Sequence, residues 1–468
     1  MNEIQDTGSY ITTSGDSNVN PLALVFLLFT GFAVLRAGRQ GAVAALLLTA
    51  LIVPLGQQFV IVGLHVRFSR LLVLLGFARI LGRNEHSTFK LNRIDKLFIA
   101  WALVSLLCKI LRGPKAESFG VAFDSLGAYF MIRMLLVDPA DILFHLKVLA
   151  VAGLGVAACM AVEEFSHHNP LSIFGGVPPI TLIREGRFRC QGPFRHPILA
   201  GTYAATLFPL LVGWWFQTKK SRFLVILGIG ACSFSTVAAA SSGALITLMA
   251  VFAGFGLWYF RSKMRTFRWG VVAVIAVFAL FMDAPVWYLI AKISDITGGT
   301  GWHRAFIIDQ AVNHFDEWIF IGSSYTAHWA RDPGTILYTI DPNNMDITNQ
   351  FIHEGLEGGL IGLGLFVAII ANCFKTVGRS WRIKDDTILA PRMKWALGVC
   401  LAAHCTAFIS VSYFDQIQLF WFWLLAVIST LSSKVALADL RRARQPQGQA
   451  RQQPQAGVAA CMPQPDPA

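Results

Sequence analysis

The sequence predicts an all-α, polytopic transmembrane helical bundle of about 12–13 spans with one large outward loop. Three observations predict it. Of 468 residues, 55% are hydrophobic and only 14% charged, against roughly 25% charged in an ordinary soluble domain. The apolar residues fall in long runs that recur along the chain. A dozen spans of about 20 residues would use roughly half of it. The mean hydropathy of +0.55 also excludes a disordered chain, because such chains are poor in apolar residues.

Candidate spans lie at 21–37, 41–57, 62–82, 96–112, 119–137, 142–162, 195–216, 221–239, 241–260, 269–290, 352–373, 393–412 and 416–436. Gln57, Gln58, His65, Arg67 and Arg70 interrupt the second and third runs. The net charge of +12, from 39 Lys+Arg and 27 Asp+Glu, would suggest nucleic-acid binding in a soluble chain. Here it reports topology. Basic clusters occur at Arg36/Arg39, Arg79/Arg83/Lys90/Arg93/Lys96, Lys219/Lys220/Arg222, Arg261/Lys263/Arg265/Arg268, Lys375/Arg379/Arg382/Lys384 and Arg441/Arg442/Arg444. Thirteen spans put all of them on one side, the cytoplasm. The acidic, polar segment 1–20 lacks the positive start of a cleaved signal peptide and then lies outside. Twelve spans with that end inside is the alternative count.

The chain then divides into ten spans over 21–290, a large outward loop at 291–351, and three spans over 352–437. The segment 438–468, rich in Gln, Pro and Ala, reads as a disordered cytoplasmic tail. No internal repeat or matched pair of Gly/Pro-broken spans marks an inverted-repeat transporter. The eight cysteines form no CxxC pair. Cys108, Cys159, Cys232, Cys400 and Cys405 lie in apolar runs, as small buried hydrophobes.

The outward segments carry the chemistry. Long loops are uncommon and usually functional. In 291–351, Trp302, Phe306, Ala311, Phe315 and Trp318 recur at helical spacing between polar residues, which predicts an interfacial amphipathic helix. Simple anchoring explains that stripe as well as ligand contact does. Arginines on this side run against the positive-inside rule. Arg184, Arg187, Arg189 and Arg195 crowd into one stretch, and Arg304 and Arg331 lie in the large loop. A guanidinium fork matches phosphate or carboxylate, so these could hold a lipid-linked diphosphate. The plain alternatives are anionic headgroups or local carboxylates such as Glu185. Gly192, Pro193 and Pro197 suggest a fixed turn beside Arg189 and Arg195.

His167, His168, His196, His303, His314, His328 and His353 share that side, but none has a metal-binding spacing. No metal is expected, and a single histidine accepting a proton suits the pattern better. Asp346, Thr348, Asn349, His353, Glu354 and Glu357 gather where the loop enters a span, followed by Gly358, Gly359 and Gly362. Residues 349, 353 and 357 share a helical face. Ionisable groups at a span mouth are functional candidates, and the glycines would admit a neighbouring helix.

At these residues the sequence resembles the O-antigen ligase and O-antigen polymerase family of bacterial membrane glycosyltransferases. RCQGPFRHPILAGTYAATLFPLL (189–211) looks like the family's Arg-x-x-Gly, aromatic, Pro signature. GTGWHRAFIIDQAVNHFDEWIFIGSS (299–324) is similar to its Gly-rich approach to an Arg-containing amphipathic helix. TNQFIHEGLEGGLIG (348–362) matches the ligase motif at Asn349, Glu357, Gly359 and Gly362, with Thr348 in place of the motif histidine. Ser241-Ser242-Gly243 stands where the family has Ser-Arg-Gly.

The resemblance implies a helical fold related to the type-C glycosyltransferases, working at the periplasmic face of the bacterial inner membrane. The donor would be an undecaprenyl-diphosphate-linked glycan, the acceptor a glycan or lipid A-core, with the bilayer as a further partner. No nucleotide sugar, cofactor, metal or nucleic acid is implied. Arg189, Arg195 and Arg304 would stabilise the leaving diphosphate, with His303 and Asn349 beside the substrate. Thr348 cannot act as base, which leaves His353, Glu354 and Asp346, with His303 as a further possibility. Gly192, Thr348, Glu357, Gly359 and Gly362 are the motif positions. Loss of the ligase histidine favours a polysaccharide polymerase or an unassigned family member over a lipid A-core ligase. A transporter or flippase of lipid-linked glycans, or a non-catalytic subunit of a polysaccharide assembly system, are the rival classes.

Overall fold

The computed structural model describes residues 19–450, apart from 55, 62–63, 88, 114, 185, 293–300, 331–344 and 382–388. The described residues are overwhelmingly helical. In the first half run α1 (Pro21–Arg36), α2 (Arg39–Ile52), α3 (Phe68–Gly82), α4 (Arg93–Leu111), α5 (Ala116–Leu135) and α6 (Ile142–Ser166). Then come α7 (Pro197–Trp215), α8 (Arg222–Ala238), α9 (Ser242–Gly256), α10 (Met264–Phe281), α11 (Gly301–Asn313) and the short α12 (Phe315–Trp318). The bundle ends with α13 (Gln350–Ser380), α14 (Pro391–Phe408) and α15 (Gln416–Ala450). Each predicted apolar run contains a helix. Among the described residues, five stretches are long and apolar enough to cross a membrane: Pro139–Ser166, Pro197–Trp215, Ser242–Phe281, Gln350–Ser380 and Gln416–Ala436. The apolar helices α1, α2 and α8 are shorter.

The core centres on α7 and the first part of α15. From Leu199 to Leu211 every side chain of α7 is buried, among α6, α8, α9, α14 and α15. A helix apolar on all faces belongs at the centre of a bundle. Two buried charge clusters are paired. Asp95 of α4 accepts from Tyr129 at 2.6 Å, from Ser429 at 2.6 Å and from Arg133 at 3.3 Å, tying α4 to α5 and α15. Arg79 forks onto Glu85 at 3.0 Å and donates to the Val34 and Ala37 carbonyls that end α1. Such groups stay buried only when their hydrogen bonds are made.

The structure corrects several boundaries. Between the second and third runs lies an antiparallel hairpin, β1 (Gln58–Ile61) and β2 (Leu64–Arg67), in the register Gln58↔Arg67. Gln58, His65 and Arg67, which interrupt the apolar pattern, are hairpin residues, so α2 ends at Ile52 and α3 begins at Phe68. The helix of the tenth run spans Met264–Phe281 and buries none of its residues in the protein. The last helix continues through Ala450, into the stretch assigned to a disordered tail; extending a formed helix adds one hydrogen bond per residue fixed. Residues 1–18 and 451–468 fall outside the described residues, as do Glu185 and Arg331.

α13 is the exception to regular helix. At Gly359 the backbone turns left-handed (φ 63°, ψ −167°) and the helix kinks. A side chain there would collide with the Phe320 carbonyl oxygen. The freed Leu356 carbonyl accepts from the Ser323 amide at 3.0 Å and from Arg112 at 2.8 Å. Arg112 also reaches the Glu357 carbonyl at 3.0 Å. The break is thereby fully satisfied, as buried backbone must be. Gly359 thus makes a bend against the turn after α12, where the sequence suggested helix–helix packing.

Candidate functional site

The ends of α4, α6, α8 and α14, and the starts of α5, α7, α9, α11 and α13, meet around one cavity of about 1840 Å³. Among the described residues, eight basic side chains line it: Lys109, Arg112, Lys115, Arg184, Arg187, Arg189, Arg195 and Arg304. Four carboxylates face them: Glu117, Glu164, Asp346 and Glu357. His196, His303, His353 and Thr348 also line the cavity, with serines that include Ser241, Ser242 and Ser410.

Three of the arginines share one ribbon. Strands β3 (Leu182–Arg184) and β4 (Arg187–Arg189) pair antiparallel, with Leu182 opposite Arg189 and Arg184 opposite Arg187. Side chains alternate along a strand, so Arg184, Arg187 and Arg189 share one face. Like charges directly opposite are destabilising. On the other face Phe188 stacks on His167, centroids 3.8 Å apart.

The turn that follows is rigidly held. The Glu163 carboxylate accepts from the Gln191 amide at 3.1 Å and the Gly192 amide at 2.9 Å. Asn169 donates to the Gly192 carbonyl at 2.7 Å, and Gln416 to that of Pro193 at 2.7 Å. Gly192 has a positive φ of 54°. The turn ends at His196, whose Nδ1 accepts from the Ile198 amide at 3.2 Å and caps α7. Burial first, then Arg189, Arg184 and Arg195, pushes that imidazole down to about 3. Arg195 lies 3.9 Å from Asp415.

Across the cavity, Arg304 is 5% exposed and donates to Ser242 at 3.3 Å. Ser242 is the residue that stands where the resembled family has arginine. Burial, then Arg184, brings Arg304 down to about 10, so it stays charged at neutral pH. Next to it, His303 interacts with Asp346. Burial lowers His303; Asp346 opposes that shift, while Arg304 and Arg184 add to it. Burial raises Asp346, and His303 offsets part of the rise. The His303 Nδ1 and the Thr348 hydroxyl are buried with no hydrogen-bond partner among the described residues.

The proposed site residues therefore divide. Arg189, Arg195, Arg304, His303, Asp346, Thr348, His353 and Glu357 line the cavity. Glu354 does not: it accepts from Trp101 at 2.6 Å and Gln350 at 2.7 Å, bonding α13 to α4. Asn349 caps α13, accepting from Phe351 at 3.0 Å and Ile352 at 3.3 Å. Gly192, Gly359 and Gly362 shape the backbone behind the lining. Lys109 and Arg112 are cavity residues that the sequence reading passed over. Lys109 pairs with Glu357 at 2.5 Å. Lys109 and Arg112 end the fourth run and Lys115 follows it, on the side that should be poor in basic residues, and that bias was the available signal.

Comparison with protein-family models and with curated proteins finds no match to this chain.

Proposed function

We propose that the chain is a membrane glycosyltransferase that transfers or polymerises glycan from a polyprenyl-diphosphate carrier in cell-surface polysaccharide biosynthesis. The observation that carries this reading is the arginine face of the β3–β4 ribbon, which lines one cavity together with His303, Asp346 and Arg304. A diphosphate is the kind of anion that several guanidinium groups fixed on one face match. The elements around the cavity are also the ones that charge bias puts on a single side, the periplasmic face of the inner membrane.

In the reaction, an acceptor sugar hydroxyl attacks the anomeric carbon. A new C–O bond forms, and the bond from that carbon to the diphosphate oxygen breaks. The leaving diphosphate gains negative charge, which the fixed guanidinium groups stabilise. The hydroxyl proton passes to a base. His303 fits that role best, with a lowered pKa and a free Nδ1 beside Asp346. His353 and Asp346 are the other candidates, whereas Glu354 is engaged away from the cavity. Opposite-side attack inverts the anomeric centre.

A second reading, a transporter or flippase of lipid-linked glycans, is favoured by the break in α13, since broken helices mark substrate paths in transporters. Purified protein in proteoliposomes with a polyprenyl-diphosphate oligosaccharide and a glycan acceptor separates the two. Glycan transfer supports the enzyme; carrier movement without transfer supports the flippase. Deleting the gene then assigns the role. Loss of polymer with single repeats retained indicates a polymerase, and polymer detached from lipid A-core indicates a ligase.

A further inference from the structure

Away from the cavity, three ligand-type side chains converge. His314 joins α11 to α12, Glu317 lies in α12, and His328 lies in the 3-10 turn Ala327–Ala330. Their donor atoms all lie within 4.8 Å of one another. His314 Nδ1 is 2.9 Å from Glu317 Oε1. His328 Nε2 is 2.8 Å from Oε1 and 3.0 Å from Oε2 of the same carboxylate. Both rings are set by aromatic neighbours: His314 stacks on Trp329 at 9°, and His328 on Tyr325 at 13°. The Trp329 indole donates to Glu317 Oε2 at 3.1 Å.

Two imidazoles and a carboxylate make a zinc ligand set. With metal–ligand bonds of about 2.0–2.1 Å, neighbouring ligands of a tetrahedral ion stand roughly 3.3 Å apart. The two His–Glu separations need only a small outward shift to admit one, and no pair of ligand atoms stands more than 4.8 Å apart. The Trp329 bond is the kind of outer-shell contact that orients a ligating carboxylate.

We infer that His314, Glu317 and His328 form a zinc-class divalent-cation site with its fourth position open to water. None of the three lines the cavity, so the ion acts as a clasp and takes no part in transfer. His314 and His328 bracket the segment that holds the α13 break through Ile319 and Ser323. The same segment supplies Ser323, Ser324 and Thr326 to the cavity rim. Joining its two ends fixes the rim in place.

The test uses tag-free, full-length protein in detergent, stripped with EDTA and titrated with Zn²⁺ alone. We expect one Zn²⁺ per chain with micromolar or tighter Kd, and a Tm that rises with Zn²⁺ and falls again with EDTA. Co²⁺ should give the intense visible absorption of a four-coordinate site. His314→Ala/His328→Ala should lose binding and the Tm response at unchanged helix content. The Co²⁺ spectrum and stoichiometry of the unaltered protein decide the matter should that variant fail to fold. The inference is overturned by absence of stoichiometric binding, or by equal binding in the folded variant. A cluster that responds to pH but not to Zn²⁺ would be a hydrogen-bonded pin and would also overturn it. The readouts are independent of glycan transfer.

Discussion

The Leu360 amide donates to the Ile319 carbonyl at 2.9 Å. In an unbroken helix that amide would face the Leu356 carbonyl. The left-handed turn at Gly359 redirects it, so the backbone of α13 is stitched to the segment after α12. Gly359 thus fastens the cavity rim to a membrane-length helix.

Gly359→Ala tests this stitch. A non-glycine residue in the left-handed region costs about 1–2 kcal/mol, and here its Cβ also strikes the Phe320 carbonyl. A marked loss of thermal stability is expected. Gly362→Ala, whose Cβ would meet only ordinary contacts at 3.4 Å and beyond, should change it little. Equal Tm values for the two variants would contradict the assignment.

Arg112→Ala removes the guanidinium from the Glu357 carbonyl and from that of Leu356, which keeps its bond from the Ser323 amide. An unsatisfied buried polar group costs about 1–3 kcal/mol. Chemical denaturation in mixed micelles should show a loss in that range. Arg112→Lys should recover only part of it, because one ammonium lacks the fork.

Glu354→Gln distinguishes a structural from a catalytic glutamate. Both of its partners are donors, so an introduced amide NH₂ would oppose one of them. Stability should fall by about 1–3 kcal/mol while the turnover of folded protein stays near normal. Turnover abolished at unchanged Tm would restore Glu354 as the base.

Arg304→Ala should slow transfer from a polyprenyl-diphosphate donor by about 10²–10³-fold, the usual effect of deleting one donor to developing charge. Helix content should not change. An unaltered transfer rate would remove Arg304 from the diphosphate site.

His303 sets the expected pH dependence. Its folded pKa lies below the ordinary 6.5, so in the window between the two values the unfolded chain binds more protons. Stability therefore falls as pH drops below 6.5 and is unaffected by this group above it. If neutral His303 is the base, the acid limb of the rate profile also lies below 6.5. His303→Gln should remove that limb and slow transfer by about 10²–10⁴-fold. A limb that persists in His303→Gln would move the role to His353 or Asp346.

Much of the fold was legible because burial is written locally. The run from Leu199 to Leu211 is apolar on every face and forms the central helix. The polar residues of 57–67 announced an interruption, although nothing in their pattern required a hairpin. The site was legible as a list of outward residues and not as an arrangement. Arg184, Arg187 and Arg189 are visibly crowded, but only strand pairing puts them on one face. His353 and Glu354 are neighbours in sequence. One residue of helix rotates them apart, and packing against α4 decides that His353 meets the cavity while Glu354 meets Trp101.

By itself the amino-acid sequence determined the helical class, the apolar segments and the charge asymmetry, because each is a sum over neighbouring residues. Only the tertiary structure decided which charges meet. Lys109 reaches Glu357, Arg304 reaches Ser242, and His328 joins His314 at Glu317, all through contacts between separate elements. The kink at Gly359 belongs to the same group: a glycine permits the left-handed turn, but the Phe320 carbonyl and the Arg112 fork are what require it.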